Sequence, residues 1–305
     1  MPIQDPKLGS LRSSSEEPAV WAEYSKLVIE ILVSVPQIME WPECRQILLD
    51  MLAIDESWMH ALPVLACQAI GENEKESVSI TAAWTILRHA ANLMDDIQDG
   101  ELYHYTQPLE PAIATTYAVA FIFIGFQILN ELHLNPLAVK KITSIFARSG
   151  LDSVRGQYLD LIAKDQEATS ANPLQAYWVA VIQKSGSIYY AGLAGAAAVG
   201  TDSDDLIKAL GNFGIALGVI RQVIDDCRDI FFDTQDSRKP STLPALLQAT
   251  LSTEGAGISE RLPELITDIL EEWKRRALAS LEILEPSRAR DGLVSILNYV
   301  LQPVR

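Results

Sequence analysis

Residues 78–98 read VSITAAWTILRHAANLMDDIQ. Apolar side chains recur there at i, i+3, i+4 and i+7, the period of a helix with a buried face. The same spacing returns in WAEYSKLVIEILVSV (21–35) and LIKALGNFGIALGVIRQVIDD (206–226). Alternating runs of Val, Ile, Thr and aromatic residues, the mark of strands, are missing. Breakers separate the windows: GENEKES (71–77), TQPLEP (106–111), TSANP (169–173), GTDSDD (200–205) and TQDSRKPS (234–241). SERLPELITDILEEWKRRALASLEIL (259–284) adds a late amphipathic helix with acid–base pairs one turn apart. The expectation is one all-α domain over residues 18–305, a helical bundle, behind a Ser-rich, flexible N-terminus of residues 1–17.

Of the 305 residues 49% are hydrophobic and 21% charged, enough apolar material for one large core. Lys and Arg number 24 against 40 Asp and Glu, a net charge of −16. Such an acidic chain is a poor partner for phosphate backbones or anionic lipid, so nucleic-acid binding is not expected. Cys44, Cys67 and Cys227 are odd in number, widely spaced and set in apolar or helical context. They read as buried free thiols of a reducing compartment, and with no signal peptide visible the cytoplasm is expected. The stretch AIATTYAVAFIFIGFQIL (112–129) carries no charge over 18 positions. Thr115, Thr116, Tyr117 and Gln127 interrupt it and no basic cluster flanks it, so it is expected as a buried central helix and not a membrane span.

Two acidic clusters close apolar helices. Asp95, Asp96 and Asp99 end the first, and Asp225, Asp226 and Asp229 end the second, 130 residues later. The first and last aspartates of each cluster lie about 40° apart on one helical face. Neighbouring carboxylates repel, and the negative end of the helix dipole disfavours them further. A polyvalent cation relieves both costs, and hard oxygen ligands at this spacing suit Mg²⁺ shared with an anionic ligand.

With these residues the chain resembles the trans-isoprenyl diphosphate synthases, or polyprenyl synthetases. LMDDIQD (93–99) is similar to that family's first aspartate-rich motif, and QVIDDCRD (222–229), with Gln222, to its second. GQYLDL (156–161), QKSGSIYYAGLAGAAAVG (183–200) and RKPSTLP (238–244) resemble three further family segments, in order. The resemblance implies the all-α isoprenoid synthase fold, a prenyl diphosphate substrate and a homodimer. It implies that Asp95, Asp99 and Asp225 ligate three Mg²⁺ ions, supported by Asp96, Asp226 and Asp229. Lys184 and Lys239, with Gln222 and Arg228, would hold the diphosphate. Gln157 would border the pocket. Bulk four and five residues before the first aspartate limits chain length in that family; here Ala91 and Ala90 stand there. Trp84, Leu87, Ala91 and Asp95 share a face, and Trp84 would floor the pocket about 16 Å above Asp95, a depth for C15 or C20 chains.

The chain also departs from that family. The stretch IDESWMHALPVL (54–65) has neither Lys nor Arg where relatives that condense isopentenyl diphosphate carry a basic segment. GELYHYTQPLEP (100–111) lacks their later Arg pair, and Arg221 stands where Phe is usual. A buried diphosphate needs cationic partners. The sequence therefore points first to an enzyme that ionises one allylic diphosphate, a terpene synthase or a prenyltransferase with a different acceptor. His60 and Trp58 would then belong to a neutral, apolar region. An ordinary isoprenyl diphosphate synthase and a non-catalytic partner subunit are the alternatives.

Overall fold

The computed structural model describes residues 18–71, 74–102, 105–106, 109–165, 172–232, 243, 246–247 and 258–302. Residues 1–17, Lys239 and the side chains of Arg228 and Asp229 lie outside the described residues.

The described residues form helices and no strands, as the periodicity requires. In order these are α1 (Ala19–Ser34), α2 (Pro36–Met39), α3 (Pro42–Ala53), α4 (Ser57–Gln68), α5 (Glu74–Asp99), α6 (Pro111–Asn130) and α7 (Pro136–Asp165). Then come α8 (Pro173–Val181), a π-helical turn (Ile182–Gly186), α9 (Ser187–Gly200), α10 (Asp204–Phe232), α11 (Ile258–Ser280) and α12 (Arg288–Val300). Proline opens α3, α6 and α8 at the first turn, where its missing N–H costs nothing. Asn172 and Ser287 cap α8 and α12 by accepting from the N–H groups of Gln175 and Arg290.

Helix α9 is the centre of the bundle. It packs against α4, α5, α7 and α10, and residues 191–198 are buried without a break. Its sequence explains the placement, because Gly and Ala let neighbours close on every side. Gly192 lies against the Trp84 indole of α5, and Gly195 against Phe146 of α7. Gly214 of α10 admits the Tyr189 backbone so closely that a Cβ there would sit 2.5 Å from its carbonyl oxygen.

Helix α6, expected at the centre, is instead an outer helix. One face packs along α5, while Val119, Ile122 and Phe123 of the other are exposed. Its Phe and Ile side chains are too large for the close approach on all sides that α9 allows. Both α6 and the span Asp204–Cys227 are long and apolar enough to cross a membrane; more than half of the latter is buried within the bundle. Cys44 and Cys67 are buried free thiols, and Cys227 is a half-buried one. Burial pushes the Cys44 thiol up to about 11 and, with Asp226 and Asp225 nearby, Cys227 up to about 12.

Candidate active site

Helix α5 stops just after its acidic cluster because Gly100 takes a left-handed conformation, φ 74°. The N–H of Glu101 then reaches back to the carbonyl of Asp96 at 2.8 Å, closing a Schellman turn. Asp95, Asp96 and Asp99 are thereby fixed on the last turn. Asp95 Oδ1 accepts from Lys184 Nζ at 2.9 Å and from Gln157 Nε2 at 2.7 Å. Lys184 also reaches Asp160 Oδ2 at 3.2 Å, and Gln157 donates to Gln98 Oε1 at 2.8 Å. Asp96 Oδ2 accepts from the Tyr105 hydroxyl at 2.7 Å. Burial and the Asp96 charge hold Tyr105 protonated, its pKa far above the ordinary value.

Lys184 is delivered by the π-helical turn between α8 and α9, an extra residue wound into an otherwise continuous helix. Helix α7 grips that turn with one face. Ser153 Oγ donates to the Lys184 carbonyl at 2.9 Å. Gly156 lies so close that a Cβ there would clash with the Lys184 backbone nitrogen. Gln157 and Asp160, next along that face, take Asp95 and the Lys184 ammonium. The GQYLDL stretch is thus a cradle for Lys184, and its glycine is demanded by backbone contact.

The next residue of the turn reaches the second cluster. Ser185 Oγ donates to Gln222 Oε1 at 2.8 Å, and Gln222 Nε2 donates to Asp226 Oδ1, also at 2.8 Å. Two adjacent residues of one irregular turn therefore join the end of α5 to the end of α10. Asp226 is buried and accepts further from the Tyr177 hydroxyl at 2.7 Å and the Leu243 N–H at 3.1 Å. Burial raises the Asp226 pKa despite these donors, and burial with the Asp226 charge raises that of Tyr177. Asp225 is more open, its side chain 41% exposed, with Arg221 Nη2 at 3.4 Å from its Oδ2.

A common plan emerges. The first aspartate of each cluster faces a cation, Lys184 or Arg221, and the second is held by a tyrosine, Tyr105 or Tyr177. Neither tyrosine is foreseen from the sequence, since nothing local marks their partners.

The region expected to be neutral and apolar holds a buried ionic hub. Asp55 Oδ2 is met by Arg88 Nη2, by His60 Nε2 at 3.2 Å and by His89 Nε2 at 3.0 Å. Ser25 Oγ lies 2.8 Å from His60 Nδ1. Burial alone would raise the Asp55 pKa, but Arg88 and His89 hold it well below the carboxylate range. Burial lowers the His89 pKa, with Arg88 adding to the effect and Asp55 opposing it. The basic groups absent from 54–65 are thus supplied from α5, but they are buried against Asp55. Trp58 is packed within the core here.

Of the residues expected along the pocket, Gln157 is at the site. Trp84 is packed into the α5–α9 contact, donating to the Ile188 carbonyl at 2.8 Å and meeting Tyr189 edge-on. Leu87 points at Gly125 of α6, Ala90 is buried and Ala91 is half-buried.

Asp95, Asp99 and Asp225 offer hard oxygen donors on exposed or half-exposed side chains. Among the described residues no three His, Cys, Asp or Glu side chains gather into a ready metal cage. That arrangement fits Mg²⁺, which takes one or two carboxylates and completes its shell with water and phosphate oxygens.

The fold matches solved prenyl synthase structures. It superposes on a geranylgeranyl pyrophosphate synthetase from Geoglobus acetivorans with a TM-score of 0.79 at 19% identity, covering 93% of this chain and 100% of that one. A decaprenyl diphosphate synthase from Rhodobacter capsulatus gives 0.75 at 20% identity, covering 94% and 98%. In sequence, the chain is 26% identical over 229 residues to the geranylfarnesyl diphosphate synthase of Methanosarcina mazei, covering 73% of this chain and 74% of that protein. It is 23% identical over 179 residues to the geranylgeranyl diphosphate synthase of the same organism, covering 56% of this chain and 53%, about half, of that relative. The sequence signature described as polyprenyl synthetase matches residues 59–243, more than half of the chain, and includes both acidic clusters and the turn between them. The chain belongs to the polyprenyl synthetase family.

Proposed function

We propose that this protein is a Mg²⁺-dependent prenyltransferase that ionises an allylic prenyl diphosphate of 15 or 20 carbons. The observation that carries the reading is the turn at 182–186, which ties Lys184 to Asp95 and Ser185, through Gln222, to Asp226. Asp95, Asp99 and Asp225 would hold Mg²⁺, which supplies positive charge against the departing diphosphate. Lys184, held beside Asp95, would donate to the diphosphate oxygens, and Lys239 would do the same. Gln157 keeps Asp95 oriented, and Tyr105 and Tyr177 keep Asp96 and Asp226 turned away from the substrate.

The relatives are named as synthases of longer prenyl diphosphates, which supports isopentenyl diphosphate as the acceptor. One observation favours a second reading, a terpene synthase or a transferase to an acceptor without diphosphate. Arg88, His60 and His89 are already buried against Asp55, and Arg221 lies between Glu56 and Asp225. The test is incubation of the purified chain with Mg²⁺ and geranyl, farnesyl or geranylgeranyl diphosphate, with and without isopentenyl diphosphate. Pyrophosphate release and the organic extract are both measured. A product five carbons longer establishes chain elongation; release without isopentenyl diphosphate establishes the second reading. No release from any substrate would remove both and leave a non-catalytic partner subunit. Release should vanish with EDTA and fall by several orders of magnitude in Asp95→Ala.

By resemblance we also propose a homodimer. Helices α6 and α7 are neighbours that expose Val119, Ile122 and Phe123 on one and Leu151, Val154 and Tyr158 on the other, an apolar surface of the kind that associates.

A further inference from the structure

Arg221 sits one helical turn before Asp225 on α10, so the two side chains share a face. Its Nη2 lies 3.4 Å from Asp225 Oδ2, and its Nη1 lies 3.8 Å from Oε1 of Glu56, at the N-terminal boundary of α4. Tyr189 of α9 is a hydrogen-bond partner of Arg221 and lies within electrostatic reach of Arg88, Asp225 and Asp55. The Arg221 side chain is 21% exposed and lies beside the more open Asp225, 41% exposed.

Two features separate this arginine from a structural ion pair. Its carboxylate contacts are long, 3.4 Å to Asp225 and 3.8 Å to Glu56, so the guanidinium is not closed into a two-pronged carboxylate clasp. The arrangement repeats that of Lys184 on Asp95, where a cation rests on the first aspartate of a cluster.

We infer that Arg221 is a diphosphate-binding residue. With Asp225 serving as a Mg²⁺ ligand, the Arg221 guanidinium would donate to a phosphate oxygen of the leaving group, while Glu56 keeps it in place. The ionisation site then carries Lys184 on one side and Arg221 on the other. A planar guanidinium suits phosphate because two parallel N–H groups can address one or two of its oxygens. Glu56 acts through Arg221 and is a positioning residue.

The inference rests on the site proposed above, and direct binding of inorganic pyrophosphate with Mg²⁺ separates the two. Titration calorimetry and the rise in melting temperature read binding without turnover. Wild type is expected to bind Mg²⁺–pyrophosphate. Arg221→Gln is expected to raise the Kd about 10- to 100-fold, the worth of one hydrogen bond to a charged group. Glu56→Gln should raise it less. The double variant Arg221→Gln/Glu56→Gln removes the pair together and leaves no buried charge alone. It should fold and show the same loss as Arg221→Gln. If wild type binds and both Arg221 variants bind equally well, this inference falls and the site stands. If wild type itself does not bind, the site and the inference fall together.

Discussion

At the scale of single residues, the two aspartates that open each cluster do different work. Asp225 is open and Asp226 is enclosed by Tyr177, Gln222 and the Leu243 N–H. Asp225→Ala should therefore abolish turnover with little change in melting temperature. Asp226→Ala strands three donors and should cost about 1–3 kcal/mol for each one left buried and unpaired, read as a lower midpoint in urea. His89 gives a pH dependence. Its folded pKa lies below the ordinary value, so between pH 7.5 and 5.5 the unfolded chain takes up a proton that the folded chain refuses. Stability should fall across that window. Asp55 is depressed as well, but its contribution is lost only below the ordinary carboxylate range, outside the window. The melting temperature of His89→Gln should decline less steeply than that of wild type between the same pH values; equal slopes would assign the effect elsewhere. The aspartates, Gln157 and Lys184 were readable because their motifs are local. Arg221 with Glu56, and Arg88 with Asp55, were not, because each pair is joined only when distant helices pack.

At the scale of elements, the grip of α7 on the π-helical turn is the most demanding contact. Ser153, Gly156, Gln157 and Asp160 form a stripe at helical spacing, and each member meets Lys184 or its partner Asp95. Gly156→Ala places a methyl group against rigid backbone, so α7 must shift. The expected cost is about 1–3 kcal/mol or more, with weakened pyrophosphate binding because Lys184 moves with the turn. A variant as stable and as tight-binding as wild type would mean that the approach is looser than the structure shows. Helix periodicity located α1, α5, α10 and α11, and the uncharged run at 112–129 located α6, but neither marked the long α7 or ranked the helices by depth. Apolar character marks α6 as a core helix, whereas side-chain size decides that α9 occupies the centre. The turn itself left no trace in the pattern, since one added residue shifts the phase of a helix without interrupting its hydrophobicity.

For the whole molecule, the exposed faces of α6 and α7 set the expected assembly. Phe123→Asp with Val154→Asp should convert a dimer to a monomer by light scattering while leaving helicity unchanged, because both side chains point outward and substitutions there seldom disturb a fold. A wild-type chain that is monomeric at micromolar concentration would remove the proposal. One consequence of the π-helical turn reaches across the molecule. Each residue advances a helix by about 100°, so deleting a single residue between 182 and 186 would let α8 and α9 run as one regular helix while rotating one against the other by that angle. Lys184 and Ser185 could then no longer reach separate clusters, and the small-residue surface of α9 would turn away from α5 and α10. The extra residue acts as a phase shifter: it lets one rod obey the packing of the core at one end and the chemistry of the cleft in its middle. Length changes in this segment should therefore be tolerated only in steps that restore the phase, near three or four residues at a time.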